Sequence, residues 1–161
     1  ERLTELHTRA RLAISVTSAR AWVRRSLVPM ENKYPIREVV EAARRYHEKT
    51  GRLVMLAYAL LSGVNTDADE ARALAELLKI MPARLSLIDW NPVEGTPWKT
   101  PTEEERSRFH DELARLGVPV VRRYSGGKDI DAACGQLKTA AEKKSRAQMD
   151  REAEEKMAAL G

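Results

Sequence analysis

Short apolar runs alternate along the chain with longer stretches in which apolar positions recur every three or four residues. The run RLAISVT at 11–17 contains β-branched residues and predicts a buried strand. Over 35–51, Ile36, Val39, Val40, Ala43 and Tyr46 fall on one helical stripe, with Pro35 suited to the first turn and Gly51 to the stop. RLVMLAYALL at 52–61 predicts the next strand. The stretch 67–82 predicts a helix that starts acidic, turns Leu74, Leu77 and Leu78 inward and ends at Pro82. ARLSLIDW at 83–90 is a third strand, and the Pro and Gly content of 91–101 makes it a loop. Thr102 followed three residues later by Glu105 has the form of a capping box, so a helix runs from there with Phe109, Leu113 and Leu116 on its buried face. VPVVRRY at 118–124 is a last strand, and Pro119 puts it at an edge.

This order is the βα alternation of a parallel α/β sheet. Ligands of such sheets collect at the carboxyl ends of the strands. The residues that fall there are Ser15, Thr17, residues 62–65, Asn91 and the loop 124–134, which carries the lone cysteine, Cys134. For a single cysteine the structural reading is a small buried hydrophobe; its position puts it near the face where chemistry would be, without saying which chemistry. From residue 138 the sequence is helix-forming and dense in charges of both signs. It predicts a solvated helical tail over 138–161 following a main unit over 1–137.

Composition narrows the picture. Of 161 residues, 43% are apolar and 32% charged, with a net charge of +4, which is a globular balance. No apolar run reaches the length needed to cross a membrane as a helix, and no membrane partner is expected. One cysteine excludes an intrachain disulfide and fits a cytoplasmic location. His7, His47 and His110 share no metal-binding spacing with Cys134, so no metal site is expected within the chain. SGGKD at 125–129 lacks the spacing of a phosphate-binding P-loop. Basic residues cluster at Arg20, Arg24 and Arg25 and again at Arg122, Arg123 and Lys128, a pattern that can receive phosphates but is common on proteins that never meet nucleic acid. The chain opens at Glu1 with Leu3 and Leu6 spaced as though a helix were finishing, so it is expected to begin inside a longer protein.

Several motifs in fixed order carry a more specific message. YSGGKDIDAACGQL resembles the carboxyl-terminal signature of the radical-SAM adenosine-C2 RNA methyltransferases. This family includes the dual-specificity ribosomal and transfer RNA enzymes and the chloramphenicol–florfenicol resistance methyltransferases. LAISVTSA is similar to the family's strand ending in Ser-Leu-His, and LVPMENKYPIREVVEAARRY to the segment after it. ALLSGVNTDADEARALAELLK and LSLIDWNPVEGTPW complete the series. The resemblance spans residues 10–137.

It implies the second half of a partial (β/α)6 barrel that binds S-adenosylmethionine and a 4Fe-4S cluster. The Cys-x-x-x-Cys-x-x-Cys cluster motif is not in this chain and is expected upstream, as is a second cysteine that releases the product. By the resemblance, Cys134 is the methyl-carrying cysteine, passing through an S-methylcysteine intermediate. Ser15, Val16, Thr17 and Asn91 match contacts to S-adenosylmethionine, although Thr17 stands where the family usually has His, whose second nitrogen a hydroxyl lacks. The implied activity is radical methylation of adenine C2 in large-subunit ribosomal RNA and transfer RNA, with an external electron donor. This chain alone is expected to be inactive. The alternative is a cluster-less homologue that binds RNA or nucleotide without catalysis. In either case the first strand lacks an amino-terminal neighbour, so the isolated chain is expected to self-associate or to need the missing half-barrel.

Overall fold

A computed structural model describes residues 11–93 and 95–122. Cys134, Lys128, the tail over 138–161, the expected boundary at residue 137 and the amino-terminal residues 1–10 lie outside the described residues. The described part forms two units. One holds residues 11–90 and 99–122, and the other is the short segment from Asn91 to Trp98.

The larger unit is a parallel sheet with helices between its strands, as the βα alternation predicts. β1 (Ala13–Ser15), β2 (Val54–Leu60), β3 (Ala83–Asp89) and β4 (Val120–Arg122) lie side by side in chain order. Ile14 is level with Leu56, Leu56 with Leu85, and Leu87 with Arg122. The connections carry α1 (Ala21–Leu27), a 3-10 turn (Pro29–Asn32), α2 (Ile36–Thr50), α3 (Ala68–Leu78) and α4 (Glu103–Arg115).

β2 and β3 are central and behave as covered strands. Val54, Leu56, Tyr58 and Leu60 are buried, while the alternate Met55, Ala57 and Ala59 are half-buried. The Tyr58 ring stacks on Phe109 of α4 at 5.7 Å. α2 contributes Ile36, Val40, Ala43 and Tyr46 to the core, and α3 contributes Ala71, Leu74 and Leu77. These are the stripes that the 3.6-residue period marks.

Local signals set the helix ends. The Asp67 side chain accepts from the Glu70 N–H at 2.8 Å to open α3. Thr102 and Glu105 form the reciprocal capping box at the start of α4. Gly51 follows α2 at φ 67, the left-handed conformation that ends a helix at little cost only for glycine.

One expectation is corrected. The first strand is not a buried strand over 11–17 but a three-residue edge strand, with Ala13 and Ser15 exposed and Ile14 half-buried. The reason is that, among the described residues, no strand pairs along its outer side. That side borders a groove of about 640 Å³ whose lining includes Leu12, Ile14, Tyr34, Val39 and Tyr46. Residues 18–34, which the hydrophobic pattern leaves unassigned, hold α1 and the 3-10 turn. α1 has seven residues, no side-chain cap, and turns only Val23 and Arg24 inward. So short a helix, with a guanidinium on its buried side, leaves no apolar stripe to read.

Candidate functional site

The carboxyl end of β1 runs straight into a tight turn. Val16 is fully buried and continues the ladder, its N–H donating to the Ala57 carbonyl at 2.9 Å. Two residues on, the Ser18 N–H returns to the Val16 carbonyl at 2.6 Å, closing a three-residue turn around Thr17. Thr17 has φ 57, the one non-glycine positive φ among the described residues. A β-branched residue in this region is strained by about 1–3 kcal/mol and keeps the conformation only where its surroundings over-determine it.

Those surroundings are polar and buried. The Asn65 amide nitrogen donates to the Thr17 carbonyl at 2.6 Å and to the Ala59 carbonyl at 2.7 Å, and its oxygen accepts from the Leu61 N–H at 2.7 Å. The Arg24 Nε donates to the Val16 carbonyl at 3.0 Å, while its Nη1 pairs with Glu31. Glu31 is 2% exposed and also accepts from the Ile36 N–H at 3.0 Å, so it caps α2 from the 3-10 turn.

Glu70 is fully buried in the first turn of α3. Its carboxylate accepts from the Ser18 hydroxyl at 2.9 and 3.0 Å, from the Ala19 N–H at 2.5 Å and from the Arg20 Nε at 2.7 Å. Arg20 reaches on to Asp67 at 2.7 Å. Burial works against the Arg20 charge, but the hydrogen bonds it donates to Glu70 and Asp67 outweigh it and raise its pKa above the ordinary value. Tyr58, whose hydroxyl donates to the Asn65 carbonyl at 2.9 Å, is pushed well above the usual phenol value by burial first and by the Glu70 charge second.

This network changes the reading of the basic cluster. Arg20 and Arg24 are committed to Glu70, Asp67 and Glu31. Two of the three cations that suggested a phosphate-receiving patch are therefore holding up the strand end. The Arg122 side chain, Arg123 and Lys128 lie outside what the structure describes.

At the end of β2, Glu105 joins two elements. Besides its capping role it accepts from the Ser62 hydroxyl at 2.8 Å and the Gly63 N–H at 3.0 Å. The Thr102 N–H foremost, then Ser62 and Gly63, hold its pKa below the ordinary carboxylate value against the opposing effect of burial. A depressed folded-state pKa stabilises the fold above the unfolded-state value, and that contribution is lost as pH falls through the folded-state value. Glu105→Gln keeps the capping-box shape and should therefore lower stability only slightly at neutral pH, by about 0.5 kcal/mol once solvent screening is allowed for. The difference from the unsubstituted protein should shrink as pH drops below the ordinary value of 4.5. Thermal melts across pH 3–7 check this, and a pH-independent difference would mean that the charge of Glu105 contributes nothing.

At the end of β3, Asp89 pairs with Arg106 at 2.9 Å. Asn91, two residues beyond the strand, opens the second unit. It is 7% exposed, and its Oδ1 has no hydrogen-bond partner among the described residues. A buried, unpaired amide oxygen is costly, so it marks a place where a donor from a ligand would be accommodated. Ser15, Val16 and Thr17 are thus brought together at the end of β1, Asn91 follows the end of β3, and Cys134 falls outside the described residues. The sequence reading missed Glu70 and Glu31, had Asn65 only as part of 62–65 at the strand end, and had Arg24 only as part of a basic cluster. The visible hints were an asparagine five residues beyond the end of β2 and a carboxylate three residues after the Asp67 cap.

Among the described residues no group of three or more His, Cys, Asp or Glu side chains could hold a metal ion, and the chain has one cysteine. The described residues do not fit an iron–sulfur cluster.

No protein-family model matches the chain. Over 136 residues, 84% of its length, it is 46% identical to a probable dual-specificity RNA methyltransferase RlmN of Thermus thermophilus. Over 153 residues, 93% of its length, it is 40% identical to the dual-specificity RNA methyltransferase RlmN of Novosphingobium aromaticivorans. It covers 38% and 36% of those proteins, so it spans under two fifths of the length of these relatives. Among solved structures it is similar to a radical SAM methyltransferase from Sphaerobacter thermophilus, with a TM-score of 0.80 and 41% identity over 84% of this chain and 40% of that one. A domain of pyruvate-formate lyase-activating enzyme from Bacteroides vulgatus, 21% identical with a TM-score of 0.55 over 70% of this chain and 66% of that one, shares the fold alone.

Proposed function

The chain is homologous to one part of the radical-SAM RNA methyltransferases, and on that premise we propose that it supplies the S-adenosylmethionine-facing strand ends and the methyl-carrying cysteine of an adenine-C2 RNA methyltransferase. The observation that carries this is the match to a radical SAM methyltransferase at a TM-score of 0.80 and 41% identity. The substrates are large-subunit ribosomal RNA and transfer RNA, and the enzyme is cytoplasmic.

S-adenosylmethionine supplies the methyl group and, with a cluster held by residues beyond this chain, the radical. The chain's own residues receive, bind and orient. Cys134, as thiolate, would take the methyl group on sulfur as the methyl–sulfonium bond breaks and S-adenosylhomocysteine leaves. The turn over Ser15, Val16 and Thr17 offers the Ser15 and Thr17 hydroxyls on either side of the buried Val16 to the cofactor at the carboxyl end of the sheet, where parallel folds place their ligands. The Asn91 Oδ1 accepts a hydrogen bond from it, which relieves that atom's unpaired burial. The outer edge of β1, along which no described strand pairs, takes a further strand of the barrel, and in the isolated chain a second copy.

Calorimetry on the complete protein tests the reading. S-adenosylmethionine should bind, and Asn91→Ala should weaken it by about tenfold, the effect of one buried hydrogen bond to a charged or polar ligand. Failure of the unsubstituted protein to bind S-adenosylmethionine would overturn the proposal. Unchanged affinity in Asn91→Ala would remove that residue from the site.

A further inference from the structure

We infer that Glu70 is a positioning residue for the cofactor-binding turn after β1, holding the backbone of residues 15–18 in its binding shape without touching the cofactor. The inference deepens the proposed function and rests on it.

Three consecutive residues, Ser18, Ala19 and Arg20, all donate to this one carboxylate. They directly follow the three residues assigned to the cofactor. The turn they close carries Thr17 at φ 57. The strain falls on a proposed contact residue, where a relaxed turn would aim the Thr17 side chain and carbonyl elsewhere. Asn65 fixes the Thr17 carbonyl from below and Glu70 fixes the exit of the turn. Glu70 is itself tied down by the Asp67 cap on its own N–H. Its side chain and Ser18 are fully buried, so the Ser18 hydroxyl has no water to fall back on, while Ala19 and Arg20 are half-buried.

A charged acceptor is required for this arrangement. Glutamine has nearly the same shape but offers one acceptor oxygen and an NH2 group. The oxygen can still receive Ser18 and Ala19, whereas the NH2 would face the Arg20 Nε–H, donor against donor. The turn loses the Arg20 anchor, and a cation is left with Asp67 alone.

The test is S-adenosylmethionine affinity measured by calorimetry on the complete protein, well below the melting temperature, alongside thermal melts. Glu70→Gln should weaken binding about tenfold. Ser18→Ala, which removes one donor and keeps the carboxylate, should weaken it less and in the same direction. Leu113→Ala, a core change in α4, should lower the melting temperature at least as much while leaving affinity within about twofold, because cavity formation acts locally. If Glu70→Gln fails to fold, Ser18→Ala decides the matter alone. Unchanged affinity in the folded variants, with the unsubstituted protein binding normally, would overturn the inference and leave the proposed function standing. No binding by the unsubstituted protein would overturn both.

Discussion

Cys134→Ala in the complete protein is expected to abolish methylation of adenosine while leaving the fold and cofactor affinity intact. The expectation comes from DIDAACGQL, the stretch in which the resemblance assigns Cys134 the methyl-carrying role. A thiolate is the nucleophile that accepts an alkyl group, and alanine offers no atom that can replace it. The loss is therefore of the whole reaction and not of a binding increment, so methylated adenosine in nucleoside mass spectrometry should fall to background. Circular dichroism should be unchanged, since the substitution removes a single sulfur. A methylated yield equal to that of the unsubstituted protein would sink the assignment of Cys134.

The largest effect on stability is expected at the Arg24–Glu31 pair. Arg24 is 6% exposed and Glu31 2% exposed, so Glu31→Ala leaves a guanidinium buried without its counter-charge. Removing one partner of a buried pair costs about 3–5 kcal/mol. The same change removes the acceptor of the Ile36 N–H at the start of α2. A fall in melting temperature of about 10 °C follows for a domain of this size. Arg44→Ala, which loses only the surface pairs to Glu41 and Glu48, should leave the melting temperature essentially where it was. Replacing both buried partners, as Arg24→Met with Glu31→Leu, should recover part of the loss, because no lone charge then remains inside. A Glu31→Ala melt indistinguishable from that of Arg44→Ala would mean that water reaches the pair.

What the amino-acid order determined by itself is the framework. Apolar stripes at helical spacing in α2, α3 and α4 and the apolar runs of β2 and β3 specify the βα order. The Asp67 cap, the Thr102–Glu105 box and Gly51 are local devices whose partners lie within four residues, so they are legible without the fold. Pro119 placed β4 at an edge of the described sheet for the same kind of reason, a missing backbone donor. The role of Cys134 came from resemblance alone, because a thiol carries no periodic signal of its purpose.

The candidate site was decided by tertiary structure. Glu70 sits in the first turn of a helix, where an acidic residue is usually solvated and favourable to the dipole. Only the return of the chain 50 residues away turns it into the buried acceptor for Ser18, Ala19 and Arg20. The Arg20, Arg24 and Arg25 cluster looks like a phosphate patch in sequence, yet Arg20 and Arg24 find their counter-charges at Glu70, Asp67 and Glu31. Hydrophobic burial follows a period that the chain displays along its length. A buried charge follows its partner, and the partner's position exists only once the sheet has brought distant segments together.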